Sequence, residues 1–333
     1  MRVHTGTDST HRGGRRWKAH ALAAALGTGL LAASPAQAIS ITPVTDLAAE
    51  ASILASGLMG PGVSLVPGTV TTAGVASQFG TFTGGAAEVG FDSGIVLSTG
   101  KVGQIPGSNT TGTTTPEELG VGDPSDDLSE AHGGGGDSDL EGISGGTTAD
   151  AAVLQFDFEL TGGGDLFFEF VFASEEYIDY VGDVYNDVFG FFVDGVNIAL
   201  VPGTTDPITV NTVNPNDNSA FYINNVVNAN GLPVAGRAIQ FDGLTTVLTA
   251  EARNLGAGRH TIKIAIADTA DYVLDSAVFI KAASFSTAPP PPSSPPPSPP
   301  QAPPTVPVPA PGGLWLLGAG LLGLGAFGRR RFG

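Results

Sequence analysis

The chain has 333 residues, no cysteine and a formal net charge of −18, which excludes disulfide staples, thiolate metal centres and cysteine nucleophiles. Basic residues gather at the two ends, so the stretch 39–288 carries six basic against 31 acidic side chains, a net charge of −25. Nucleic acid and anionic lipid are poor partners for so acidic a body, and cations are good ones.

In chain order, residues 1–38 read as a secretory signal: a basic opening, the apolar run ALAAALGTGLLAA and an AQA ending at Ala38. The Arg15-Arg16 pair lacks the flanks of a twin-arginine signal, which leaves the export route open. The spacing of apolar residues predicts a helix over 46–59, with Thr45 or Asp46 as its N-cap. It is the one helix expected in the body.

The segment 101–150 has scarcely an apolar residue and reads as a long loop. Its Asp137, Asp139 and Glu141 alternate beside four glycines. Spaced carboxylates on flexible backbone can wrap Ca²⁺, although the spacing matches no EF-hand. Plain solvated turns are the other reading.

Alternation of apolar and polar residues then predicts strands over 152–160 and 165–173. The link Thr161-Gly162-Gly163-Gly164 between them reads as a hairpin turn. A second hairpin joins DVFGFFV to VNIALVPG through Asp194-Gly195, the pair a type I′ turn prefers. Further strands are expected over 244–252, 260–268 and 276–285. With 48 Gly and 25 Pro, the series points to an all-β sandwich or jelly roll rather than an α/β sheet.

Between two of the aromatic strands the chain crowds Glu175, Glu176, Asp179, Asp183 and Asp187, with Asn186, and no Lys or Arg among them. Asp268, Asp271 and Asp275 form a second acidic turn. Three chemistries compete. Glu175 with Asp187 or Glu176 could serve as the carboxylate pair of a glycosidase, but nothing except the abundance of acids supports catalysis. A divalent cation is better matched, since Ca²⁺ takes six to eight oxygen ligands on irregular loops, and transition metals lack their His and Cys here. A network of Asx turns is the plain alternative. Cation and turn network stand as equal readings. The interleaved Tyr177, Tyr180 and Tyr185 could instead make a sugar-stacking or protein-contact surface.

Residues 289–311 are a stiff Pro-rich linker. Next comes GGLWLLGAGLLGLGAFG, just long enough to span a bilayer as a single C-terminal transmembrane helix, and then Arg329, Arg330 and Arg331. With Val308-Pro309-Ala310-Pro311 ahead of it, this order resembles the PEP-CTERM sorting signal of Gram-negative bacteria. Ala310 stands where that signal has an acidic residue. The resemblance implies an exosortase-type processing enzyme as partner, and contact with the membrane before processing.

The motifs Ser174-Glu175-Glu176-Tyr177, Asn186-Asp187-Val188-Phe189 and Asp275-Ser276-Ala277-Val278-Phe279, with the 46–59 helix and GFDSGIVLSTG, resemble the choice-of-anchor L domain of bacterial surface proteins over roughly 46–286. That resemblance implies surface display and supplies no activity.

The reading as a whole is a signal peptide (1–38), a β-sandwich or jelly-roll domain with one N-terminal helix (39–288), a Pro-rich linker (289–311) and a sorting or anchor segment (312–333). The expected protein is exported, surface-anchored and non-catalytic, serving adhesion, matrix or biofilm contact, with Ca²⁺ as a candidate ion and no organic cofactor. A carbohydrate-binding module that contacts exopolysaccharide, with or without weak hydrolase activity, and a structural coat protein are the alternatives.

Overall fold

A computed structural model describes residues 38–109, 128–227 and 234–291. The signal peptide, the sorting motif, the apolar C-terminal segment and nearly all of the Pro-rich linker lie outside the described residues. No described helix is long and apolar enough to cross a membrane.

In chain order the elements are β1 (Ser40–Pro43), α1 (Leu47–Leu58), β2 (Val63–Leu65), β3 (Thr71–Ala73), β4 (Phe79–Thr83), β5 (Ser93–Ser98) and α2 (Ser138–Ser144). The long strands follow: β6 (Thr148–Leu160), β7 (Gly164–Ser174), β8 (Val188–Val193) and the short β9 (Val196–Asn197). Last come β10 (Tyr222–Asn224), β11 (Gly243–Thr245), β12 (Leu248–Leu255), β13 (Gly258–Thr269) and β14 (Ser276–Lys281).

The strands form two antiparallel sheets. The first runs β1-β4-β5-β14-β7-β11-β10, with β12 also on β7, and the second runs β2-β6-β13-β8-β9, with β3 also on β6. Alternation explains how they stack. Leu166, Phe168, Phe170 and Phe172 point from β7 in the first sheet to Phe189 and Phe191 on β8 and Phe156 and Phe158 on β6 in the second, all of them buried. Ring centroids of Phe168 and Phe191 lie 5.2 Å apart, and those of Phe170 and Phe189 5.0 Å. Each buried aromatic contributes about 1.5–3 kcal/mol relative to exposure. The α1 helix starts as expected, with the Asp46 carboxylate accepting from the Ala49 N–H at 3.2 Å. It buries Ala51, Leu54, Ala55 and Leu58 in the same core.

Three expectations need correction. The Thr161–Gly164 link is no hairpin, because β6 and β7 belong to different sheets. Their apolar faces oppose one another across the core instead of lying side by side, and the glycines carry the chain over with positive φ at Gly163 and Gly164. The expected strand over 244–252 is interrupted, giving β11 and β12, because Thr246 turns to donate its N–H to the Phe221 carbonyl at 2.7 Å. Finally, the body has a second helix. Asp137 caps α2 by accepting from the Asp139 and Leu140 N–H groups, and Leu140 and Ile143 cover Ala151, Val153, Phe192 and Ala265 on the outer face of the second sheet. The Asp194-Gly195 hairpin forms as expected, joining β8 to β9 with φ of 49° and 82°.

Candidate functional site

Pairing of β13 with β8, Ala267 opposite Val188, brings the loop entering β8 and the loop leaving β13 to one end of the sandwich. The two acidic segments, 80 residues apart in sequence, meet there. Glu175, Glu176, Asp187, Asp268 and Asp275 are at most 2% exposed. Asp179 and Asp183 are exposed, Asn186 and Asp271 half-buried.

Two of the buried acids are held by backbone donors. Glu175 accepts from the N–H groups of Leu128 at 3.3 Å and Asp242 at 3.2 Å. Asp275 accepts from Glu130 N–H at 3.2 Å, and its own N–H donates to the Leu128 carbonyl at 2.7 Å. Together they fasten residues 128–130 to the sheet. Asp275 packs so closely over Gly100 that any side chain at 100 would collide with its carboxylate. Burial pushes Asp275 up to about 7, against the hydrogen bond from Glu130.

The outer part of the loop is a turn network. Asp183 accepts from the Val184 N–H at 2.6 Å, and Asn186 from the Asn211 N–H at 2.9 Å. The Asn211 side chain in turn donates to the Asp183 carbonyl and accepts from Gly182 N–H.

Glu176, Asp187 and Asp268 are different. Asp187 accepts from Thr269 N–H at 3.0 Å and from the Ser276 hydroxyl at 2.7 Å, which leaves lone pairs on both oxygens. Both oxygens of Asp268 and Oε2 of Glu176 are buried without a hydrogen-bond partner, as is the Thr269 hydroxyl. The Thr99 hydroxyl lies beside Asp268, near enough to favour its charge though outside hydrogen-bond geometry. Burial, reinforced by the Asp187 charge, pushes Glu176 up to about 10 and Asp268 well above the carboxylate range. Burial pushes Asp187 up to about 8, opposed by its two hydrogen bonds. No ion pair among the described residues involves any of the three. Their side chains approach one another without forming a ready-made metal shell, and none is formed elsewhere among the described residues.

Asp137, Asp139 and Glu141 belong to α2 on the outer face of the second sheet and not to this cluster. Lys263 donates to Asp137 at 2.6 Å and Asp139 at 2.7 Å, and Glu141 accepts from Thr148 N–H at 3.4 Å. They serve the first turn of α2, where acids also favour the helix dipole. A cleft of about 340 Å³ near them is lined by Gln78, His132, Asp150 and the Gly134–Gly136 backbone. Asp150 accepts from His132 N–H at 2.7 Å and from Gly134 N–H.

Of the three tyrosines, Tyr177 is wholly buried against Tyr222, with ring centroids 5.0 Å apart, so it cannot stack on a sugar. Tyr180 and Tyr185 are half-buried and meet edge to face at 5.3 Å. Sequence reasoning missed Tyr272 and Val273, which are 42% and 40% exposed on the turn of Asp271, whose charge reaches Tyr180; Val184, on the Tyr180–Tyr185 loop, is 65% exposed. Their only signal was an apolar pair inside an acidic turn.

The family model of the choice-of-anchor L domain matches residues 48–286. The chain belongs to that family. Comparison with curated proteins and with solved structures returned no match. A choice-of-anchor domain places the chain among cell-surface or exported proteins. In this choice-of-anchor L domain, the match ends at Ser286, whose N–H and carbonyl pair with Phe167, so the family's unit closes where the sandwich does.

Proposed function

We propose that this choice-of-anchor L protein is displayed outside the cell as a non-catalytic adhesive module that contacts an extracellular polysaccharide of the matrix. The observation that carries this reading is the tip of the sandwich. There Val184 is exposed on the loop of the Tyr180–Tyr185 pair, and Tyr272 and Val273 are exposed on the turn of Asp271, whose charge reaches Tyr180. Exposed apolar and aromatic side chains grouped at one end suit contact with a partner. The carboxylates beneath support a non-catalytic role, because a general acid or nucleophile has to reach its substrate and Glu175, Glu176 and Asp187 are covered. Display would follow from the ends of the chain: the signal over 1–38 for export, and Val308-Pro309-Ala310-Pro311, the apolar 312–328 segment and Arg329–Arg331 for an exosortase-type enzyme after membrane contact.

Polysaccharide pull-down and cell-binding assays test the reading, comparing the wild-type chain with a Val184→Asp/Tyr272→Ala variant. Retention by polymer that the variant loses by tenfold or more is the expected result. Retention by cells but not by polymer would point to a protein partner instead. No retention on either would leave a structural coat protein.

A further inference from the structure

We infer that Glu176, Asp187 and Asp268, with the Thr269 hydroxyl, form a buried binding site for a divalent cation of the Ca²⁺ type. The argument begins with chemistry that is not balanced within the chain. Three carboxylates share one buried region, and an ionised carboxylate taken out of water costs several kcal/mol unless it is paired or hydrogen-bonded. Asp187 has two donors. Asp268, 0% exposed, has none on either oxygen, and neither does Oε2 of Glu176, which is 1% exposed.

Among the described residues no basic side chain offsets them. The six Lys and Arg residues of the body include five that make ion pairs with other acids, and Arg237 donates to the Ala87 and Glu88 carbonyls. The electrostatic neighbours of Glu176 and Asp268 are further acids. An all-oxygen set of carboxylates and a hydroxyl, without His or Cys, selects a hard cation. Asp271, half-buried on the adjoining turn, lies near enough for its charge to act on both Glu176 and Asp187. Closing the shell needs rotation of Glu176 and Asp268 about terminal torsions, which are broad wells for carboxylates.

The same comparison sorts the other acids. Glu175 and Asp275 are occupied in holding 128–130, Asp183 and Asn186 in the turn network, and Asp137 and Asp139 by Lys263. They fall outside the site. Cation binding here stands whether or not the tip adheres to a polymer.

Thermal unfolding of the full chain in EDTA, Mg²⁺ or Ca²⁺, with Tb³⁺ luminescence excited through tyrosine, tests the site. At a hundredfold excess over its dissociation constant, Ca²⁺ should raise Tm by roughly 5–10 °C. It should also displace Tb³⁺. Asp268→Asn should lose that response, and in EDTA should melt close to the wild type, since burial keeps the unliganded Asp268 carboxyl neutral and the amide matches its shape. Asp183→Asn should respond as wild type does. If wild-type Tm is the same in Ca²⁺ and EDTA and Tb³⁺ gives no Ca²⁺-displaceable signal, the proposal fails. A Ca²⁺ response that survives in Asp268→Asn would overturn the assignment of ligands. Should Asp268→Asn not fold, the Asp187→Asn variant and the wild-type Tb³⁺ displacement decide between these outcomes.

Discussion

The Ser276 hydroxyl donates to the Asp187 carboxylate at 2.7 Å across 89 residues, and so joins the start of β14 in one sheet to the residue that leads into β8 in the other. It is a bond between sheets at the end where the acidic loops meet, with both partners fully buried. Burial keeps Asp187 largely neutral at neutral pH, and leaving its buried oxygen without this donor costs about 1–3 kcal/mol. Ser276→Ala should therefore lower Tm by roughly 3–10 °C, and a double-mutant cycle with Asp187→Asn should show coupling of about 1 kcal/mol or more. Additive effects would show that the two side chains act separately.

Gly100 is required by close approach. Its missing side chain leaves the space that the Asp275 carboxylate fills. Gly100→Ala should cost about 1–3 kcal/mol by overpacking and should expose residues 128–130 to hydrogen exchange. Gly162→Ala, where nothing lies within 4 Å of the added carbon, provides the comparison. Equal stability of the two variants would refute the packing argument.

Lys263 couples α2 to the second sheet. Only 14% exposed, it bridges Asp137 and Asp139 and lies 5.5 Å from the Phe192 ring centroid. Lys263→Met keeps the stem and removes the charge, so it leaves Asp137 unpaired in a part-buried position. Protection of amide hydrogens over 138–144 should fall at least tenfold while that of β13 itself changes little. Unchanged protection would mean that apolar contacts of Leu140 and Ile143 hold the helix alone.

His260 provides a pH-dependent contact. Nδ1 lies 2.7 Å from Asp194 and Nε2 lies 2.9 Å from the Gly256 carbonyl, so the doubly protonated ring satisfies both acceptors. Burial opposes the charge, but these hydrogen bonds and the charges of Asp194 and Glu159 outweigh it and raise the pKa above 6.5. A raised histidine stabilises the fold fully below its unfolded value, and the gain is lost as pH rises through the folded pKa. Asp194 is about half exposed, which limits the effect to about 1 kcal/mol or less. The Tm difference between wild type and Asp194→Asn should be largest near pH 6 and shrink toward pH 8. A difference independent of pH would place its origin in the turn rather than in the ion pair.

Much of this molecule was legible in the residue order. Alternation over 152–160, 165–173 and 260–268 located three long strands to within a few residues, because a half-buried strand must show one apolar face. Asp46 and Asp194-Gly195 announced a cap and a turn through local chemistry. The α2 helix was not legible, since seven residues with two glycines in reach carry too weak a period, and Lys263, 124 residues beyond Asp139, supplies the charge that steadies it. The eight acids of the two acidic turns, proposed from sequence as ligands together with Asn186, looked alike there. In the fold they separate into backbone clamps, a surface turn network and an unsatisfied buried group.

The sequence alone determined that the body is an anionic all-β unit of the choice-of-anchor L type with acids massed in two turns. Residue type, alternation and motif are local properties, and each is complete within a few residues. Which strands share a sheet, that β6 and β7 face rather than flank each other, and which carboxylates lose contact with water were decided by tertiary structure. Burial and pairing depend on what distant strands place opposite, and for Asp187 and Asp268 that neighbour lies 81 residues away.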